Sequence, residues 1–206
     1  ALLGMRWGGK AKSSLHSIDL RVRWGLMLRG AGIVFPIFGV VLVGQFLLDP
    51  PADFAWPDAS STTFVLYAVI ILLTPLQCAA EEYVFRGLPM QLLGVWLRAP
   101  LWGILIPVPL FILGHGYDWV GQIDLAVFAI CMALLVWKSG GLELAIVMHT
   151  ANNLILFLLA PLSSSSTLEQ GAVDPWTLLI SLPLTIGVTA LLWVWVSRTY
   201  DLEMKE

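Results

Sequence analysis

Long apolar runs alternate with short polar breaks along most of the chain. A first run covers residues 28–48. A second begins near Thr62 and continues past Pro75 and Pro89 towards Leu97. Further runs cover 101–114, 119–137, 142–162 and 175–196. About 20 apolar residues in a helix suffice to cross the hydrocarbon of a bilayer, so the pattern predicts about six transmembrane helices and an all-α, polytopic fold. The breaks carry turn chemistry: Asp49-Pro50-Pro51, Arg98-Ala99-Pro100, Gly116-Tyr117-Asp118 and Lys138-Ser139-Gly140-Gly141, with a longer polar loop at 163–174. Pro75 and Pro89 are expected to kink or break the second helix. Gly32, Gly39 and Gly44 are expected to let the first pack closely on a neighbour. No internal repeat is visible.

Composition agrees with this reading. Hydrophobic residues make up 58% of the chain, charged residues only 12%, and mean hydropathy is +0.85. The charged share is about half the globular norm of ~25%. A net charge of −3 gives no support to a nucleic-acid partner. Cys78 and Cys131 both lie in apolar runs and read as buried small hydrophobes. Residues 1–27 form a basic, cytoplasmic or interfacial lead-in expected to lie on anionic lipid. Residues 28–197 form one transmembrane domain with its motif core at 81–153, and 198–206 a tail. If the N-terminus is cytoplasmic, the turns at Arg98 and Lys138 and the tail with Arg198 and Lys205 fall on the same side. The loops 49–61, 115–118 and 163–174, without Lys or Arg, fall outside. Orientation then accounts for every basic residue except Arg86, with both termini inside the cell.

Arg86 belongs to the least comfortable stretch, Glu81-Glu82-Tyr83-Val84-Phe85-Arg86. Each ionised side chain in hydrocarbon costs at least ~2.5–3.5 kcal/mol. Glu82 and Arg86, four apart on a helix, can neutralise each other. Glu81 lies about 100° round the helix and has no evident local partner. Two histidines stand in later apolar runs, His115 and His149, with Asn153 one turn beyond the second. Counted from the turn at Arg98, Glu81 and His115 are each about 17 residues away and so level, ~25 Å above it. A desolvated glutamate suits a general base acting on water, an imidazole can share that water, and His149 with Asn153 can donate to an oxyanion. The parts fit hydrolysis of a peptide within a polar catalytic cavity. No Ser or Cys is placed with a clear base beside it, which disfavours a covalent nucleophile. Tyr117, Asp118 and Trp119 read as an interfacial loop, and Asp124 and Glu143 as span-end residues near the headgroups.

Three motifs, Glu81-Glu82-x-x-x-Arg86, Phe111-x-x-x-His115 and His149-x-x-x-Asn153, occur complete and in order. In this the chain resembles the CPBP family, the CAAX proteases and bacteriocin-processing enzymes also called Abi. The resemblance implies a multi-helix intramembrane endopeptidase of the glutamate type, like the Ras-converting enzyme. By position, Glu81 and His115 would activate water, His149 and Asn153 would form the oxyanion hole, and Glu82 and Arg86 would support them. An older proposal for the family puts a metal at these residues. Glu/His/His could hold zinc, but the His-Glu-x-x-His arrangement is missing, and the expectation is no cofactor. The expected setting is a bacterial plasma membrane, with membrane lipids, a peptide or lipid-anchored protein substrate, and room for a membrane-protein partner. Bacteria do not generally prenylate CAAX motifs, so peptide maturation, export or bacteriocin self-immunity is the expected role rather than CAAX processing itself. Two alternatives stay open: a non-catalytic scaffold or accessory subunit, and a transporter with a protonatable carboxylate.

Overall fold

A computed structural model describes residues 15–163 and 170–200. The expected placement of 1–14 and 201–206 lies outside these residues. The helices are α1 (Trp24–Leu48), α2 (Ser61–Glu82), a π-helical turn (Tyr83–Gly87), α3 (Leu88–Leu97), α4 (Pro100–Leu105), α5 (Pro107–Leu113), α6 (Trp119–Ser139), α7 (Glu143–Leu159) and α8 (Leu178–Thr199). Among the described residues five helical stretches are long and apolar enough to cross a membrane: α1, α2 with its continuation to Gly94, α6, α7 with its 3₁₀ extension to Leu162, and α8 with its 3₁₀ lead-in. The chain is an all-α, multi-pass membrane protein.

The third run departs from the expected simple span. It breaks at Ile106, where Pro107 begins α5. Proline at the first position of a helix loses no hydrogen bond, but it cannot continue the one before it. Together α4 and α5 rise only ~21 Å, short of the ~30 Å hydrocarbon core.

The bundle is built round α7. Every residue from Glu143 to Ala151 is buried, and α1, α2 and α6 all pack against this helix. A helix enclosed on all sides needs no polar face, which is why this segment reads as one continuous apolar run. By contrast α1, α2 and α8 turn large side chains outwards, among them Leu28, Val40, Phe64, Leu72, Leu76 and Leu179. In a bilayer that surface faces acyl chains. Close approach of α1 to α7 depends on Gly30, where a Cβ would stand 2.6 Å from Leu144. Gly32, Gly39 and Gly44, expected to serve this purpose, would meet nothing within 4 Å.

The described end of the lead-in adds contacts that the sequence did not signal. Residues 15–23 dock on the turn between α6 and α7. Ser17 pairs with Gly141 as an isolated bridge, Ile18 N–H donates to the Gly140 carbonyl at 2.8 Å, and Leu142 N–H donates to the His16 carbonyl at 3.0 Å. Gly140 ends α6 in the left-handed conformation, φ +64°, where glycine carries no Cβ penalty. Beside it, Arg23 clasps Glu143. Arg23 is thus fixed by a protein partner, and Glu143, at the end of its helix, is fully buried within the protein. Gly141 leaves the room: a Cβ there would collide with both members of the pair.

Candidate active site

The motif residues meet where α2 passes into its π turn against α7. Leu88 N–H reaches back five residues to the Tyr83 carbonyl. Such single π turns are rare and occur often at functional sites. The sequence gives no sign of this one. Glu82 and Arg86 flank it and pair at 3.0 Å, as their spacing predicts. Both are buried, and Arg86 stacks its guanidinium over the Phe111 ring, 4.4 Å from the centroid.

His149 comes from α7 into the same place. Its Nδ1 lies 2.7 Å from Glu82 Oε1, and its Nε2 is 3.2 Å from the Asn153 amide and 3.8 Å from Glu81 Oε2. The first two contacts fit one arrangement of a neutral ring, in which Nδ1–H donates to Glu82 and Nε2 accepts from Asn153 Nδ2–H. Asn152 donates to Asn153 Oδ1 at 3.0 Å, which holds that amide with its nitrogen towards the imidazole. His149 therefore bridges both glutamates, and Glu82 is as close to the centre as Glu81.

Glu81 differs from expectation in one respect. It does have a local partner: Gln77, one turn earlier, donates to Oε1 at 2.9 Å. An i−4 glutamine is a recognised helical pairing and was legible in the sequence. Glu81 also keeps 23% of its side chain accessible, whereas Glu82 is closed off.

His115, expected opposite Glu81, joins the site through aromatic contacts. Its Nδ1 bonds the Phe111 carbonyl at 2.8 Å, which leaves Nε2 as the nitrogen able to take a proton. Its ring lies 4.8 Å from Phe111, and Phe111 in turn lies 5.2 Å from Phe85 and 6.4 Å from His149. Phe111 is the hub that sets the spacing of Arg86 and both histidines.

A cavity of about 450 Å³ runs from these groups to the loops 49–60, 114–118 and 170–177. His115, His149, Asn152 and Asn153 line its inner end, Asp49, Tyr117 and Gln170 its mouth. Asp124, expected near headgroups, lines its wall. Tyr117 stacks on His115, with rings 6.3 Å apart and 14° from parallel. Burial, with the Asp124 charge second, holds its phenol above the usual 10.0, so it is a neutral donor at physiological pH.

Two further contacts escaped sequence reasoning. Cys78 is buried close to His149. One cysteine expected to be plain core thus has an imidazole for a neighbour, against the expectation that no thiol stands next to a base. The Tyr83 hydroxyl, inside the first motif, bonds His16 Nδ1 from the docked lead-in. Burial above all, with Arg23 assisting and Glu143 opposing, lowers the His16 pKa below 6.5. As to a metal, no three His, Cys, Asp or Glu among the described residues form a group able to hold one. The donors point instead at one another: His149 Nδ1 is occupied by Glu82 and His115 Nδ1 by a backbone carbonyl.

Comparison with known proteins bears on the same region. Residues 60–155 match the family model "Type II CAAX prenyl endopeptidase Rce1-like". The chain is 28% identical over 145 residues to the uncharacterized protein YyaK of Bacillus subtilis (strain 168), a match covering 66% of this chain and 48% of YyaK. It thus spans about half the length of that relative. No solved structure matches the chain. Residues 60–155, which hold all three motifs, are thus similar to the Rce1-like CAAX prenyl endopeptidases, a family of proteases.

Proposed function

We propose that the protein is an intramembrane endopeptidase that hydrolyses a peptide bond in a membrane-associated or lipid-anchored substrate. The observation that carries this reading is the meeting of Glu81, Glu82, His149 and Asn153 at the end of an open cavity also lined by His115. Water attacks the carbonyl carbon and gives its proton to Glu81, with His115 Nε2 sharing the water. Asn153 Nδ2–H and a protonated His149 donate to the oxygen that becomes negative. The C–N bond then breaks, and the proton held by Glu81 passes to the leaving amine. Glu82, fixed by Arg86, orients His149 and stabilises its charged form. Apart from the catalytic groups the site requires no cofactor in this scheme.

The lack of Lys and Arg in the loops round the cavity mouth supports a reading in which that mouth faces out of a bacterial cell and both termini lie inside.

Purified protein in lipid nanodiscs, given quenched-fluorescent apolar peptides, tests the reading. Glu81→Gln and His149→Ala should each lower kcat by roughly 10²–10⁴-fold with the fold retained. Full activity in folded Glu81→Gln protein would overturn it and favour a scaffold.

A further inference from the structure

Gln77 and Asn152 stand outside the motif positions, yet each donates to a motif side chain that has two unlike ends. Gln77 Nε2–H donates to Glu81 Oε1 at 2.9 Å. The other oxygen, Oε2, is the one that meets His149 Nε2, 3.8 Å away. Asn152 Nδ2–H donates to Asn153 Oδ1 at 3.0 Å, while Asn153 Nδ2 meets His149 Nε2 at 3.2 Å. Both donors line the cavity together with His149 and Asn153.

For Glu81 the choice of oxygen decides where a proton can rest. An oxygen whose lone pair already accepts an N–H receives a proton less readily than its free neighbour. With Oε1 held, the proton taken from water goes to Oε2, on the side of His149. It leaves for the amine from the same atom. For Asn153 the choice is between a donor and an acceptor. Once His149 carries a proton on Nε2, that N–H calls for an acceptor, and a free amide would turn its oxygen towards it. The oxyanion would then lose the Asn153 donor. Asn152 holds Oδ1 back, so Nδ2–H stays on the reacting side.

We propose that Gln77 and Asn152 are positioning residues of the peptidase. Gln77 selects Glu81 Oε2 as the proton carrier, and Asn152 keeps the Asn153 amide from turning over. The proposal rests on the peptidase reading above. Each residue acts through the neighbour it bonds, so its effect should vanish when that neighbour is removed. A merely structural role predicts the same loss with or without the neighbour.

The test uses the full chain in nanodiscs with quenched-fluorescent apolar peptides. Gln77→Met and Asn152→Leu keep most of the volume and remove the donor; Asn152→Ala serves if the leucine does not fold. Each should lower kcat by roughly tenfold or more and leave KM within about twofold. Gln77→Met should cost little further in Glu81→Ala protein, and Asn152→Leu little further in Asn153→Ala protein.

A second arm needs no turnover. Asn152 and Asn153 are the only asparagines in the chain, so asparagine labelled with heavy nitrogen shows their side-chain amides alone by NMR. An Asn152 amide proton should lie downfield and move in Asn153→Ala protein. With labelled glutamine, the signal lost in Gln77→Met should likewise move in Glu81→Ala. Such shifts in a wild type that cleaves nothing would keep both holds and remove the peptidase reading. In an active wild type, a kcat that withstands both substitutions, equal losses with and without the neighbour, or amide protons indifferent to Glu81→Ala and Asn153→Ala would each overturn the positioning roles.

Discussion

Among the described residues two arginine–glutamate pairs lie in this bundle, and they are built differently. At the α6–α7 turn, Glu143 receives Arg23 N–H and Nε at 3.0 Å each and Nη2 at 2.6 Å, while Nη1 is taken by the Ser139 carbonyl. Both oxygens are used in a two-pronged contact, the strongest geometry open to such a pair. At the π turn, Arg86 makes one bond to Glu82, and Glu82 Oε2 and Arg86 Nη2 are left buried without a partner. The third participant there is His149, on the same Oε1. One pair closes on itself and ties the lead-in to the core. The other is left incomplete beside a residue able to move protons. A saturated pair holds structure; an unsaturated one keeps capacity for a change of charge.

Three measurements bear on this contrast. The largest effect is expected from Glu143→Ala, which takes the carboxylate from a part-buried guanidinium and opens a buried site, and should cost roughly 2–4 kcal/mol of stability, read as a large fall in Tm in detergent. Replacing both partners, Arg23→Met with Glu143→Leu, should recover most of that loss, since neither charge is then left unpaired. An unchanged Tm in Glu143→Ala would remove the structural role of the tight pair. Next comes Glu82→Gln. It keeps the shape but weakens the hold on His149, and should lower kcat by on the order of 10²-fold with a smaller change in Tm than Glu143→Ala. The reverse order, a large Tm loss with normal turnover, would erase the contrast.

The smallest effect concerns His16, which links the lead-in to Tyr83. Its folded pKa lies below 6.5, so the folded state takes up fewer protons than the unfolded chain. Its contribution to stability is present above pH 6.5 and is lost as pH falls below it. Tm measured from pH 7.5 to 5 should fall on the acid side, and less steeply in His16→Gln. An identical slope in the variant would show that His16 does not couple the two regions.

How much of this was legible in the sequence depends on distance along the chain. Helix positions followed from apolar runs, and the Glu82–Arg86 pair from a spacing of four, because both are local rules. The break at Pro107 and the Gln77–Glu81 bond were equally local, and their signals were present: a proline amid a run, and a glutamine one turn before the carboxylate. The docking of 15–23 had no such signal. It joins Arg23 to Glu143 across 120 positions, and the lead-in's charges fit a lipid-bound segment just as well. At the candidate site the motifs named residues that the fold brings close together. Their pairing was another matter: counting heights set His115 against Glu81, but a 3.8 Å contact brings His149 there instead. A rise per residue fixes height and leaves azimuth open, and azimuth is what the π turn altered.

That turn has a consequence for the length of the chain. Helices α2 and α3 form one continuous rod, yet α2 leans on α7 and α3 on α4. A rod of constant pitch cannot readily present one face to two differently placed neighbours. The extra residue in the π turn acts as a phase shifter of about 100° between its halves. Removing one residue between Tyr83 and Gly87 would keep every motif side chain and still swing α3 off α4. A deletion series read by expression and Tm should therefore find this stretch more sensitive to its number of residues than to the identity of Val84, which faces outwards.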